Sequence, residues 1–202
     1  MSGMRRLLLL SLFASPAYAI GIWGSLGMGT AFGGAGSISV CDYTNPLLPT
    51  CVSADIRTSG SLIGFSSMVG LSLRPIPLAI GIGADIHRGY QVFRILGDIQ
   101  EQEVEVERLY IKFPIAYHIS LPQFTGLVGI YPAGVLWYEF GSRSADGFAL
   151  GGFFNLYYSL GSIGFGVETF FDYGFEFSEY DVSISDVLHY GIRLGVFAYL
   201  GK

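Results

Sequence analysis

From residue 109 to residue 121 every second side chain is large and apolar: Leu109, Ile111, Phe113, Ile115, Tyr117, Ile119 and Leu121. That spacing belongs to a β-strand, whose side chains alternate between two faces. Seven further runs keep the same rhythm. Ile20, Ile22, Leu26 and Met28 open the series, and Tyr190, Ile192, Leu194, Val196, Ala198 and Leu200 close it. Between them fall Ile63, Phe65, Val69 and Leu71; Leu78, Ile80, Ile82 and Ile86; and Val128, Ile130, Leu136, Tyr138 and Phe140. Phe148, Leu150, Phe154, Leu156 and Tyr158, then Ile163, Phe165, Val167, Phe171, Tyr173 and Phe175, complete the set. Pro132 in the fifth run suggests a bulge or local unpairing there.

The continuous row carries the large side chains, while the opposite row is small and mixed. A soluble sandwich would show water a polar row. The inversion predicts lipid outside and a packed lumen inside. The fold expected is therefore all-β: an eight-stranded antiparallel up-and-down transmembrane β-barrel. Residues 147–167 are uncharged and of helix-spanning length, about 20 residues, but their glycines and period of two argue against a helix.

The ends agree with export. Arg5 and Arg6 precede a short apolar run and Ala17-Tyr18-Ala19, the pattern of a secretory signal peptide. Residues 1–19 are expected to be a cleaved leader and 20–202 the barrel domain. Losing the leader removes two arginines and no acid, so the net charge of −5 becomes more negative. Sparse, scattered basic residues exclude nucleic acid as a partner. In an oxidising compartment Cys41 and Cys51 are expected to form a disulfide.

Short connections at 74–77, 122–125 and 160–161 carry no acid, whereas the long ones at 33–61, 88–107 and 178–187 do. That asymmetry predicts short periplasmic turns, longer extracellular loops and both termini in the periplasm. Gly97-Asp98 is a two-residue hairpin signal. Centring the hairpin there sets Ile86 opposite Leu109, Arg88 opposite Glu107, Tyr90 opposite Glu105, Val92 opposite Glu103 and Arg94 opposite Glu101. A strand from 99 to 119 would be about 70 Å long and, tilted, would rise about twice the 25 Å apolar band. Glu101, Glu103, Glu105 and Glu107 then stand above the membrane on a projecting hairpin. A turn at 122–125 pairs Arg108 with Glu139 in the lumen. A comparable alignment of the last two strands pairs Asp172 with Arg193, with Lys112 and Glu168 also inward. Buried charges are costly unless paired.

Taken together, these runs resemble the small outer-membrane barrels of the OmpA transmembrane domain, OmpX and OmpW. The resemblance rests on architecture over the whole mature chain, not on a motif. It implies a monomer in contact with outer-membrane lipid and lipopolysaccharide, with a structural or surface-interaction role and an extracellular protein or surface as partner. The projecting hairpin is similar to that of OmpX. The ending Tyr199-Leu200-Gly201-Lys202 departs from the terminal aromatic common in such barrels. No cofactor or metal is expected. Two other functions stay open. Inward glycines would leave a narrow channel for small or hydrophobic solutes, as in OmpW, unless Trp23, Met68, Tyr110, Trp137, Phe153, Tyr157, Phe170, Phe197 and Tyr199 fill it. His118-x-Ser120 resembles the His-x-Ser of lipid A deacylases, although no inward acid is expected beside it.

Overall fold

A computed structural model of the chain describes residues 19–42, 50–74, 76–95, 101–140, 143–179 and 182–200. The expected leader, the tip at 43–49, the turn at 96–100 and the last two residues lie outside these. All regular structure among the described residues is strand. The elements are β1 (Ala19–Gly33), β2 (Ala35–Asp42), β3 (Thr50–Arg74), β4 (Leu78–Ile95), β5 (Glu101–Lys112), β6 (Ile115–Ser120), β7 (Phe124–Phe140), β8 (Arg143–Leu160), β9 (Ile163–Glu179) and β10 (Val182–Leu200).

The ten strands make a ring of eight. β1 and β2 are one strand interrupted at Gly34, and β5 and β6 are one strand interrupted at Phe113-Pro114. β1 pairs with both β3 and β10, which closes the sheet antiparallel and leaves no edge. Proline explains the second interruption, because it has no N–H for the ladder. The Pro114 carbonyl accepts from Gly81 N–H at 3.0 Å, and Phe113 N–H donates to the Pro132 carbonyl at 3.0 Å. The segment 147–167 forms β8 and the start of β9, so it is not a helix.

Most of the large apolar row points outward, as expected. Residues 109–121 span about 40 Å at roughly 3.3 Å per residue. At a tilt near 45° this gives a belt close to the 25 Å apolar band of such barrels. The strands are much longer than the belt needs. β3 has 25 residues, where about 9–11 cross a bilayer. The segment 33–61, expected as a loop, is mostly this extra strand: β2 pairs with β3 from Ala35–Arg57 to Asp42–Thr50. Serines disguise it. Ser39 and Ser53 bond to each other across the pair at 2.7 Å, and Ser37 bonds Ser185 of β10 at 2.8 Å.

Beyond the belt the two faces exchange character. Ile56, Leu62, Phe93, Val104, Val106, Phe177, Ile184 and Val187 are buried inside, while Arg57, Arg88, Arg94, Glu101, Glu103 and Glu105 face out. The upper strands thus enclose an apolar core behind a polar outer face, with Glu101–Glu105 of β5 projecting beyond the last β5–β7 pair at Val106–Phe140. Within the belt the interior mixes charged and aromatic side chains and the exterior is apolar.

Candidate functional site

Two regions bring chemistry-bearing side chains together: the lumen at belt height and the outer face of the β4–β5 hairpin. The lumen centres on Asp85 of β4. Its carboxylate accepts from Lys112 Nζ at 2.6 Å and from Arg193 Nη2 across the barrel. Arg193 Nη2 also lies 2.8 Å from His87 Nε2. Lys112 donates to the Tyr131 hydroxyl at 2.9 Å, and Tyr131 donates to Asp172, which stands 3.9 Å from Lys112. Glu168 accepts from the Tyr157 hydroxyl at 2.6 Å. The Phe170 ring lies under Arg193 at 3.9 Å and Lys112 at 5.1 Å, and stacks on His87 at 5.5 Å.

Inward glycines make room for this network instead of leaving a passage. A Cβ at Gly64 would collide with the His87 ring, at Gly27 or Gly195 with the Glu168 carboxylate, and at Gly151 with Tyr131. Trp23, Tyr110, Phe153, Tyr157, Phe170 and Phe197 fill the remaining section.

The two ion pairs expected inside are not formed. Arg108 stands opposite Tyr138, not Glu139, for two reasons. The two-residue turn is Pro122-Gln123, with Leu121 and Phe124 bonded to each other. A bulge then inserts one extra residue of β7 between the Leu109–Trp137 and Tyr110–Val135 pairs. Leu136 and Trp137 therefore both face outward, at 61% and 37% exposure. Tyr138 turns in, and Glu139 stands opposite Glu107 on the outer side. Trp137 fills no lumen; the bulge is at Leu136-Trp137, and the local unpairing expected at Pro132 is found on its β5–β6 side, where the ladder passes from Lys112–Ala133 to Ile115–Ile130. Asp172 is opposite His189 and Arg193 opposite Glu168, because the β9–β10 ladder continues to Val182–Glu179 through much of the expected loop. Lys112 and Glu168 do lie in the lumen. Asp85, the hub, was readable as the inward acid of its run but carried no pairing signal of its own.

On the hairpin the register is the one expected from Gly97-Asp98, from Arg94–Glu101 down to Ala84–Ile111. Arg88 reaches diagonally, with Nη2 2.9 Å from Glu105 and Nε 3.7 Å from Glu107, and Arg94 lies 4.0 Å from Glu101. Accepting these bonds, Glu105 raises the Arg88 guanidinium above its ordinary pKa. Cys41 and Cys51 are direct partners across β2 and β3 and form a disulfide.

With closure, an apolar belt and a filled polar lumen in place, the likeness to solved structures has a physical basis. NspA, a Neisserial surface protein, superposes with a TM-score of 0.51 over 89% of this chain and 96% of its own, at 11% identity. The chain has the fold of a small outer-membrane β-barrel. Two further barrels align with lower scores. One is the outer membrane protease OmpT from Escherichia coli, at 0.45 and 8% identity over 92% of this chain and 98% of that one. The other is the Yersinia pestis attachment invasion locus protein Ail, solved with the heparin analogue sucrose octasulfate, at 0.41 and 13% over 89% and 99%. No protein-family model and no curated protein matches the sequence.

At the end of this barrel formed by the short turns, His118 is inward but its bonded serine is not Ser120. His118 Nδ1 lies 3.0 Å from Ser72 Oγ, and its ring meets Tyr199 edge-on at 5.3 Å. Ser120 is exposed at the strand end. Ser72 is 1% and His118 8% exposed. Among the described residues no group of His, Cys, Asp and Glu is arranged to hold a metal ion.

Proposed function

We propose that this outer-membrane barrel is a non-catalytic surface-interaction protein that presents its upper barrel, and above all the acidic outer face of the β4–β5 hairpin, outside the cell. Both termini and the short turns are then periplasmic. The observation that carries this reading is the exchange of faces along β5: Glu101, Glu103 and Glu105 face out over buried Val104 and Val106, above lipid-facing Ile111. A strand with an apolar inner row and a charged outer row is built for water on its outer side. The row Glu101, Glu103, Glu105 and Glu107, with Glu139 opposite Glu107, suits a partner surface of positive charge. The filled lumen gives the channel reading no support.

The test uses whole cells. A Glu103→Cys variant is expected to react with a membrane-impermeant maleimide on intact cells. Changing Glu101, Glu103, Glu105 and Glu107 together to Gln should preserve a heat-modifiable barrel while cutting cell attachment to a cationic surface by half or more. No labelling, unchanged attachment, or steady conductance of the refolded protein in planar bilayers would overturn the reading.

A further inference from the structure

Arg108 is 1% exposed, and no carboxylate pairs with its guanidinium; the Tyr110 hydroxyl is its hydrogen-bonding neighbour. The lumen's carboxylates are engaged elsewhere: Asp85 by Lys112 and Arg193, Glu168 by Tyr157, and Asp172, though opposite His189 in the ladder, by Tyr131 and Lys112. The bulge in β7 keeps Glu139 outside. A buried charge without an ionic partner is costly.

The groups around Arg108 are hydrogen-bond donors with unused capacity. Its guanidinium carbon is 6.0 Å from the ring centres of both Tyr110 and Tyr138. The Tyr138 ring is 6.3 Å from His189, whose two ring nitrogens have no protein partner. The Tyr110 ring is 6.2 Å from His87, whose Nδ1 is also unmatched. Gln91 completes the set. Its unmatched amide nitrogen lies over Gly33, the ladder partner of His189, within 2.6 Å of where a Cβ would stand. Above this layer the apolar core closes the barrel, with Phe177 stacked on Tyr138 at 5.0 Å and Leu62, Val106 and Val187 buried.

We propose that Arg108, His189, Gln91, His87 and Tyr110 form an anion-binding site at the junction of the belt and the upper barrel. Its ligand is a compact monovalent anion of the halide or formate class. The buried acids Asp85, Asp172 and Glu168 offset Lys112, Arg193 and Arg108 in number, but none of them reaches Arg108, so its local positive charge in an enclosure of low dielectric attracts an anion, and the neighbouring neutral donors complete the anion's shell. The site gives the unpaired arginine a role: it ties the polar lumen to the apolar core above it.

Crystals of the wild-type barrel grown in bromide are expected to show an anomalous peak in contact with the Arg108 guanidinium; its absence overturns the proposal. In detergent at constant ionic strength, the unfolding midpoint should rise when gluconate is replaced by chloride or bromide, as for any ligand bound only by the folded state. A parallel formate series ranks the two ligands; a rise with formate but with neither halide overturns the proposal, as does no rise at all. Arg108→Met should abolish the response, and a response that persists in this variant overturns the proposal. If that variant does not fold, the bromide diffraction of the wild type decides alone.

Discussion

β5 crosses two regions of the barrel, and its inner and outer rows exchange roles between them. In the upper barrel Val104 and Val106 point in and Glu103 and Glu105 point out; seven residues on, Lys112 points in and Ile111 points out. β9 shows the same contrast, although a bulge at Phe175 shifts its inner row from Glu168 and Asp172 below to Phe177 above. The same hydrogen-bonded strands run through both regions, so being paired does not choose which residues are polar. The surroundings do. In lipid no free energy is gained by hiding apolar groups from water, so the lumen there is held by charge pairing and aromatic packing. Above the belt water returns, and the interior becomes an ordinary hydrophobic core. The two halves should therefore fail in different ways when damaged.

The largest effect is expected at the hub of the lower half. Asp85→Ala leaves Lys112 and Arg193 buried without their shared acceptor. Breaking a buried ion network from one side costs about 3–5 kcal/mol. Chemical unfolding of the refolded barrel should show a lower midpoint or no refolding at all. Replacing Asp85, Lys112 and Arg193 together with apolar residues of similar volume should restore much of the loss. If Asp85→Ala unfolds like the wild type, the lumen is not held by this network.

Next comes the outer surface, where a single substitution type tests both halves. Ile115 is the central member of the lipid-facing row, and Val52 is an exposed residue of the upper barrel at 69% exposure. Lysine on the lipid face at mid-membrane costs about 2–4 kcal/mol. At an exposed site in water a substitution usually changes stability by no more than about 0.5 kcal/mol. Ile115→Lys should therefore depress the unfolding midpoint strongly and Val52→Lys scarcely at all. Equal effects would erase the proposed boundary between the halves.

This contrast also shows what the sequence could reveal. The outward row was legible because lipid selects large apolar side chains without interruption over the whole belt. The β4–β5 register was legible because Gly97-Asp98 marks its centre and the charges of Arg88 and Arg94 meet glutamates on it. The β7 bulge left no mark: Leu136 and Trp137 are both apolar, so making one of them the extra residue preserves a plausible pattern while reversing every position beyond it. That single residue moved Glu139 outside and left Arg108 unpaired. The β9–β10 register was misplaced for a different reason, because the upper strands are polar outside and resemble loops. Val104, Val106 and Phe177, the inner row of those strands, were the available signal that the ladder continues.

The smallest global effect is expected from the disulfide, and it sharpens the division further. Cys41 and Cys51 are ten residues apart and staple β2 to β3 at the far end of the upper barrel. Closing a loop of that size restricts the open state by at most about 3 kcal/mol. The restraint acts on local opening of this hairpin, far from the belt that sets global stability. With Cys41→Ser and Cys51→Ser combined, amide exchange at Val40 and Val52 should accelerate by up to about two orders of magnitude. Amides of β1 within the belt, such as Met28 opposite Leu194, should exchange as before. Faster exchange in both places would mean that the upper barrel and the belt open as one unit, and the two halves would then differ in composition but not in stability.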